Sequence, residues 1–187
     1  PRYFSNADCN YAYRESVFKK DLKGKYIVTY VTYRLKKKPV FRLEYGNVKE
    51  ELEKTGKEMT LQRVREVIIR IREAKLPDPK TQGNAGSFFM NPIVPYTQFE
   101  SLLTVYPKMP HYIINAERVK IPAAWLIDQC GWKGKRVGNA GVHDRQALVL
   151  VNCGGATGKE IIRLSEGIQK SVSEKFGIVI SPEVNFI

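Results

Sequence analysis

Ala147-Leu-Val-Leu-Val-Asn-Cys-Gly-Gly-Ala-Thr-Gly-Lys-Glu160 is the stretch on which the reading of this chain turns. Ala147 to Val151 is a short unbroken apolar run bounded by polar and glycine residues, the pattern of a buried strand. From Thr157 the apolar spacing changes. Ile161, Leu164, Ile168, Val172 and Phe176 recur at three- and four-residue steps, and Gly177 follows, so a helix is expected from about Thr157 to Phe176. Thr157 stands where a cap is needed, with Glu160 at the capping-box position. Gly154 to Lys159 invites comparison with a phosphate loop. That signature needs four residues between its glycines and Ser or Thr after the lysine, whereas Glu160 follows Lys159 here, so the cap is the reading.

Working outward, Pro122 to Cys130 reads as a helix with proline in its first turn and Gly131 at its stop. Thr97 to Val105 reads as a short helix with Phe99, Leu102 and Leu103 on its apolar face, and Gly83-Asn-Ala-Gly-Ser87 as a glycine-punctuated turn. Leu76-Pro-Asp-Pro79 cannot continue a helix and marks a linker. Before it, a helix is expected from Thr60, with Leu61, Val64, Ile68 and Ile71 on one face. Tyr26 to Leu35 is rich in β-branched and aromatic residues and reads as a long strand, preceded by a turn at Lys23-Gly24-Lys25. Ile178 to Ile180 and Val184 to Ile187 read as closing strands. The order gives an α+β protein in two lobes.

The chain has 187 residues and a formal charge of +12, with 43% hydrophobic and 27% charged residues, which suits a folded domain rather than a disordered one. No apolar run approaches the roughly 20 residues of a membrane span, and no membrane association is expected. Pro1 to Asp8 carries no apolar core or cleavage pattern, so no secretory signal is expected in that stretch. The chain opens without Met, as a fragment or processed product does. Cys9, Cys130 and Cys153 are few, odd in number and far apart, with no CxxC. Neither a zinc site nor a disulfide scaffold is expected, and a reducing cytoplasm fits. The charge points to anionic partners. Lys36-Lys37-Lys38 is closed at once by Pro39 and no base-stacking motif accompanies it, so nucleic-acid binding is not expected.

Among candidate chemical groups, Ser87 lies between Gly86 and the aromatic pair Phe88-Phe89, where the backbone allows close approach of a ligand and the aromatics exclude water. The bland alternative is a capped tight turn. His143-Asp144-Arg145 reads as a structural group. No GxGxxG follows a strand, and no metal ligand set is expected.

Tyr13 to Lys19, Lys75 to Lys80, Gly83 to Pro92, Ala124 to Cys130, Val142-His143 with Gln146 to Val149, and Pro182-Glu183-Val184 are collinear. Together they resemble the UDP-N-acetylenolpyruvoylglucosamine reductase family, also called UDP-N-acetylmuramate dehydrogenase. The resemblance implies a cytoplasmic flavoenzyme of peptidoglycan precursor synthesis. Such an enzyme uses NADPH and FAD to reduce UDP-N-acetylglucosamine enolpyruvate to UDP-N-acetylmuramate. It implies that 1–74 is the end of an FAD-binding lobe, 75–177 a substrate-binding α+β domain, and 178–187 a C-terminal strand returning to the FAD lobe. It also implies a partner: the family's N-terminal FAD-binding segment, which this sequence lacks and without which the chain is expected to be inactive. A non-catalytic nucleotide-sugar binding module is the alternative.

The resemblance further implies residue roles. Ser87 matches the family's general acid, which protonates C2 of the enolpyruvyl group. Arg14 and Glu183 match the pair that polarises the substrate carboxylate. Tyr45, Lys75, Asn91, Tyr112 and Gln146 match substrate-binding positions, and Arg72 one near the flavin. The family often has arginine where Asn185 stands and lysine where Met90 stands, so positive charge is lower along the diphosphate path.

Overall fold

The computed structural model describes residues 1–43, 47–54, 56 and 58–186. By contact density it divides into two units, Pro1–Leu43 and Glu44–Ile187, so the 1–74 segment expected from the sequence is shared between them. In chain order the larger unit contains α1 (Val48–Glu53), α2 (Leu61–Lys75), β1 (Asn84–Ser87), β2 (Ile93–Pro95) and α3 (Tyr96–Val105). It continues with β3 (Tyr112–Ile113), β4 (Arg118–Lys120), α4 (Ala123–Gln129), β5 (Arg136–Val137), β6 (Ala140–Val142), β7 (Val149–Asn152) and α5 (Gly158–Phe176). One antiparallel sheet has the order β1-β7-β6-β5, the other β2-β4-β3. The α+β class read from the sequence holds.

The strand-to-helix switch that organises the larger unit forms as its residues dictate. The Thr157 side chain accepts from Glu160 N at 3.3 Å, and Glu160 Oε2 accepts from Thr157 N at 2.8 Å, which completes the capping box. Glu160 Oε1 also accepts from Asn139 N at 3.3 Å, tying the helix start to the β5–β6 turn. Leu164, Ile168, Val172 and Phe176 of α5 are buried with Val142 and Leu150 of the sheet, Leu126 and Ile127 of α4, and Ile178 and Ile180 beyond the helix. The rings of Tyr106, Trp125 and Phe176 meet at 5.2 to 5.7 Å and close the far end of this core.

Four expectations need correction. Tyr26 to Leu35 forms no strand among the described residues; Ile27, Tyr30 and Leu35 are all strongly exposed. Composition favours extended backbone there, but a strand exists only with a ladder partner. Residues 178–186 likewise make no ladder strand; one antiparallel bridge, Phe89 to Pro182, is what forms. Asn84 to Ser87 is a strand with a register irregularity rather than a free turn. On α2 Val67 is buried with Val64 and Ile71 half-buried beside it, while Leu61 and Ile68 are exposed. The helix offers apolar residues on two adjoining stripes, and packing against α1, where Leu52 is buried, selects the one through Val67. Thr60 caps α2 as expected, accepting from Arg63 N at 3.2 Å.

The smaller unit, Pro1–Leu43, is built on local contacts. Phe4 packs edge-on against Phe18 at 5.0 Å and Tyr26 at 5.4 Å, and Cys9 is buried, its carbonyl accepting from Val17 N at 2.9 Å. Lys25 N donates to Leu22 O at 3.1 Å, which makes the turn expected at Lys23 to Lys25.

Replacing Thr157 by Ala is expected to destabilise the protein by about 1 kcal/mol, read as a lower urea midpoint, whereas Thr157→Asp keeps the cap. The hydrogen bonds from Thr157 and Asn139 hold the Glu160 carboxyl below its usual pKa. A depressed carboxylate stabilises the fold above its unfolded pKa and loses that contribution as pH falls through the folded value. The midpoint difference between wild type and Glu160→Gln should therefore shrink on acidification; a difference independent of pH would contradict the cap assignment.

Candidate functional site

The site is assembled on the main chain of two buried aromatics. Phe88 and Phe89 sit in the core with their rings 5.1 Å apart. Phe88 N donates to Leu148 O at 2.7 Å, and Phe88 O accepts from Glu183 N at 2.8 Å. Met90 N donates to Ser181 O at 2.9 Å. Residues 148 and 183, distant in sequence, are thereby fixed on either side of the residue that follows Ser87.

Ser87 is exposed at the end of β1, paired with Val149. Just before it Gly86 has φ +70°, in the left-handed region, and Gly86 N donates to Asn84 Oδ1 at 3.0 Å. A local irregularity of this kind turns a strand and re-aims the next side chain. Gln146 lies in the turn leading to β7: its carbonyl accepts from Val149 N at 3.0 Å and its Oε1 from Leu148 N at 3.3 Å. The neighbouring Arg145 donates through Nη1 to Ala74 O at 3.0 Å, which docks the end of α2 onto the same turn. Lys75 and Arg72, both exposed, occupy that last helical turn, where the helix dipole favours cations. The main-chain bonds therefore gather Ser87, Gln146, Glu183 and the end of α2 that bears Lys75 around one junction.

Asn91 follows immediately. Its Oδ1 accepts from Ala123 N at 2.9 Å, holding the first peptide of α4 and leaving its Nδ2 as the donor it presents elsewhere. Tyr112 and Ile93 both pair with Lys120 across the second sheet, and Lys120 Nζ stands 5.1 Å from the centre of the Tyr112 ring. Lys120 had no place in the sequence reading, and Leu148 was read only as part of a buried strand. Arg145 was read only as part of the structural group His143 to Arg145, because the acceptor it finds lies 71 residues away.

Arg14 belongs to Pro1–Leu43, in the tight turn Ala12 to Glu15, with φ +57° and its guanidinium carbon 6.0 Å from the centre of the Tyr13 ring. Tyr45 lies outside the described residues. His143 is buried, its Nδ1 accepting from Arg145 N at 3.2 Å, which agrees with a structural role. Among the described residues no group of three or more His, Cys, Asp or Glu is placed to hold a metal, and no helix is long and apolar enough to cross a membrane.

Known proteins resemble this chain along nearly all of its length. The family description "UDP-N-acetylenolpyruvoylglucosamine reductase, C-terminal domain" matches residues 78–187. The reductase of that name from Bacteroides fragilis is 59% identical over 180 residues, covering 96% of this chain and 54% of that protein. The one from Porphyromonas gingivalis is 52% identical over 186 residues, covering 100% of this chain and 55% of that protein. A crystal structure of the Thermus caldophilus reductase aligns with 67% of this chain at 26% identity and a TM-score of 0.41. The chain thus spans about half the length of the curated relatives it matches. On the family match and on identity above 50% across nearly all of its length, the chain belongs to the UDP-N-acetylenolpyruvoylglucosamine reductase family and carries its C-terminal domain.

Proposed function

We propose that this chain serves as the substrate-binding part of a cytoplasmic flavoenzyme that reduces UDP-N-acetylglucosamine enolpyruvate to UDP-N-acetylmuramate with NADPH. In this reading 75–177 is the substrate domain, the preceding residues close an FAD-binding lobe, and 178–187 returns to that lobe. The observation that carries it is the convergence of Ser87, Gln146, Glu183 and the end of α2 on the Phe88 junction, in a chain 59% identical to a reductase of that name.

The residues present fit a flavin dinucleotide as contributors to its surroundings. Arg72 and Lys75 are three residues apart on one face of α2, so the helix end offers two neighbouring cations to phosphate groups. Arg72 would meet the flavin side and Lys75 the diphosphate of the sugar nucleotide. The flavin, when bound, supplies the hydride it has taken from NADPH.

The chain's own residues do the rest. Ser87 holds the proton that goes to C2 of the enolpyruvyl group. A serine hydroxyl suffices as the acid because the carbon it protonates is strongly basic, with enolate character. The Arg14 guanidinium has the fork geometry that suits a carboxylate. It stabilises charge that grows on the substrate carboxylate in the transition state, and Glu183 joins it by donating a hydrogen bond from its carboxylic acid form; stabilisation confined to that state accelerates the chemical step. Asn91, through Nδ2, together with Tyr112, Gln146 and Tyr45, holds the nucleotide sugar.

In the full-length enzyme, Ser87→Ala should leave flavin reduction by NADPH nearly intact and slow reoxidation by substrate by about 100-fold or more, measured by stopped-flow absorbance. Equal losses in both half-reactions would remove Ser87 from the acid role. Lys75→Ala should weaken UDP-sugar binding by about tenfold or more, read by calorimetry, while changing the rate of hydride transfer at saturation less. An unchanged dissociation constant would take Lys75 out of the diphosphate site.

A further inference from the structure

The four-stranded sheet has a second feature beyond the Phe88 junction. Register places Ala140, Val142 and Leu150 on the face covered by α5, and Gly141, Val151 and Cys153 on the opposite one. On that opposite face, toward β5, lies a cleft of about 470 Å³, adjoined by a hollow of about 420 Å³ that shares Gln82 and Cys153 with it. None of the residues assigned above to substrate, flavin or proton transfer lines either one.

The cleft is basic and its cations are held in place. Lys135, Arg136 and Arg145 line it, and Asp144 is the one carboxylate among its lining residues. Arg136 donates through Nε to Gly138 O at 2.7 Å, and Arg145 through Nη1 to Ala74 O at 3.0 Å. Each guanidinium has thus committed one N–H to a main-chain carbonyl, which fixes its plane and leaves further donors oriented. Lys135 Nζ rests 4.4 Å from the centre of the Trp132 ring. Asp144 lies 3.5 Å from His143 Nε2 and 4.0 Å from Arg145 Nε, so it offsets the charge of Arg145 and leaves that of Lys135 and Arg136. The floor is kept low by Gly141, where a Cβ would stand 3.0 Å from Cys153 Sγ and 3.3 Å from Lys135 O.

We infer that this cleft binds a small molecule carrying a diphosphate, at a site separate from that of Ser87. The volume lies in the usual range for a small-molecule site. Three cations against one carboxylate leave two positive charges over, which match a group bearing two or three negative charges. Arginine forks suit phosphate oxygens in pairs. Convergence on one hollow, rather than a stripe of cations at phosphate spacing, suits a compact group over a nucleic-acid backbone. The inference stands independently of the function proposed above.

Cys153 supplies the test, because it lines both hollows, whereas Cys130 lines neither. In the full-length protein, iodoacetamide labelling of each cysteine is followed by peptide mass spectrometry at constant ionic strength, with inorganic pyrophosphate as the probe. At ten times its dissociation constant, pyrophosphate should slow Cys153 labelling by about tenfold and leave Cys130 unaffected. The protection should be lost in Arg136→Gln and in Lys135→Gln and kept in Ser87→Ala and Lys75→Ala. If Cys153 labels at the same rate with pyrophosphate, or if protection survives both Arg136→Gln and Lys135→Gln, the cleft is not a diphosphate site. If protection disappears in Lys75→Ala, the probe is binding at the site around Ser87 and the inference fails.

Discussion

One peptide unit governs the geometry of the site. A residue has a single main-chain donor and one carbonyl, and those of Phe88 go to two different parts of the chain, Leu148 and Glu183. The side chain of Phe88 is buried and that of Ser87 exposed. A slip of one residue would bury the serine, expose an aromatic ring and break both bonds together. The register of β1 is therefore set by the core, and the position of the serine relative to Glu183 follows from it.

The end of α2 is joined to this junction by a different physical device. A helix C-terminus leaves carbonyls without partners and carries partial negative charge. Arg145 satisfies the Ala74 carbonyl from outside the helix, while Arg72 and Lys75 take up the favourable potential from within. These two cations thus keep an outward position in the favourable potential of the helix end.

What the sequence made legible were the features encoded over short spans. The Thr157–Glu160 box, the Thr60 cap and helices α3, α4 and α5 were read within a residue or two, because capping and 3.6-residue periodicity are local. The small sheet β2-β4-β3 went unseen, since its strands are two or three residues long and owe their existence to partners elsewhere in the chain. The same dependence explains Tyr26 to Leu35, where strand-forming residues stand without a ladder. Family resemblance named Ser87, Glu183 and Gln146, but their meeting point, the Phe88 peptide, carries no sequence signal because main-chain atoms are common to every residue.

Asn91 has a consequence of its own. An amide side chain is ordinarily ambivalent, able to turn and offer either oxygen or nitrogen. Here the first N–H of α4 settles the matter, because a flipped amide would set two donors against each other at 2.9 Å. Position 91 is therefore an oriented amide: both Nδ2 protons are turned away from α4, and the oxygen has one of its two lone pairs already engaged. An ordinary asparagine can turn to suit its neighbours; this one has its orientation set before any neighbour arrives. That orientation originates in the start of a helix, so whatever loosens α4 also frees the Asn91 amide to turn.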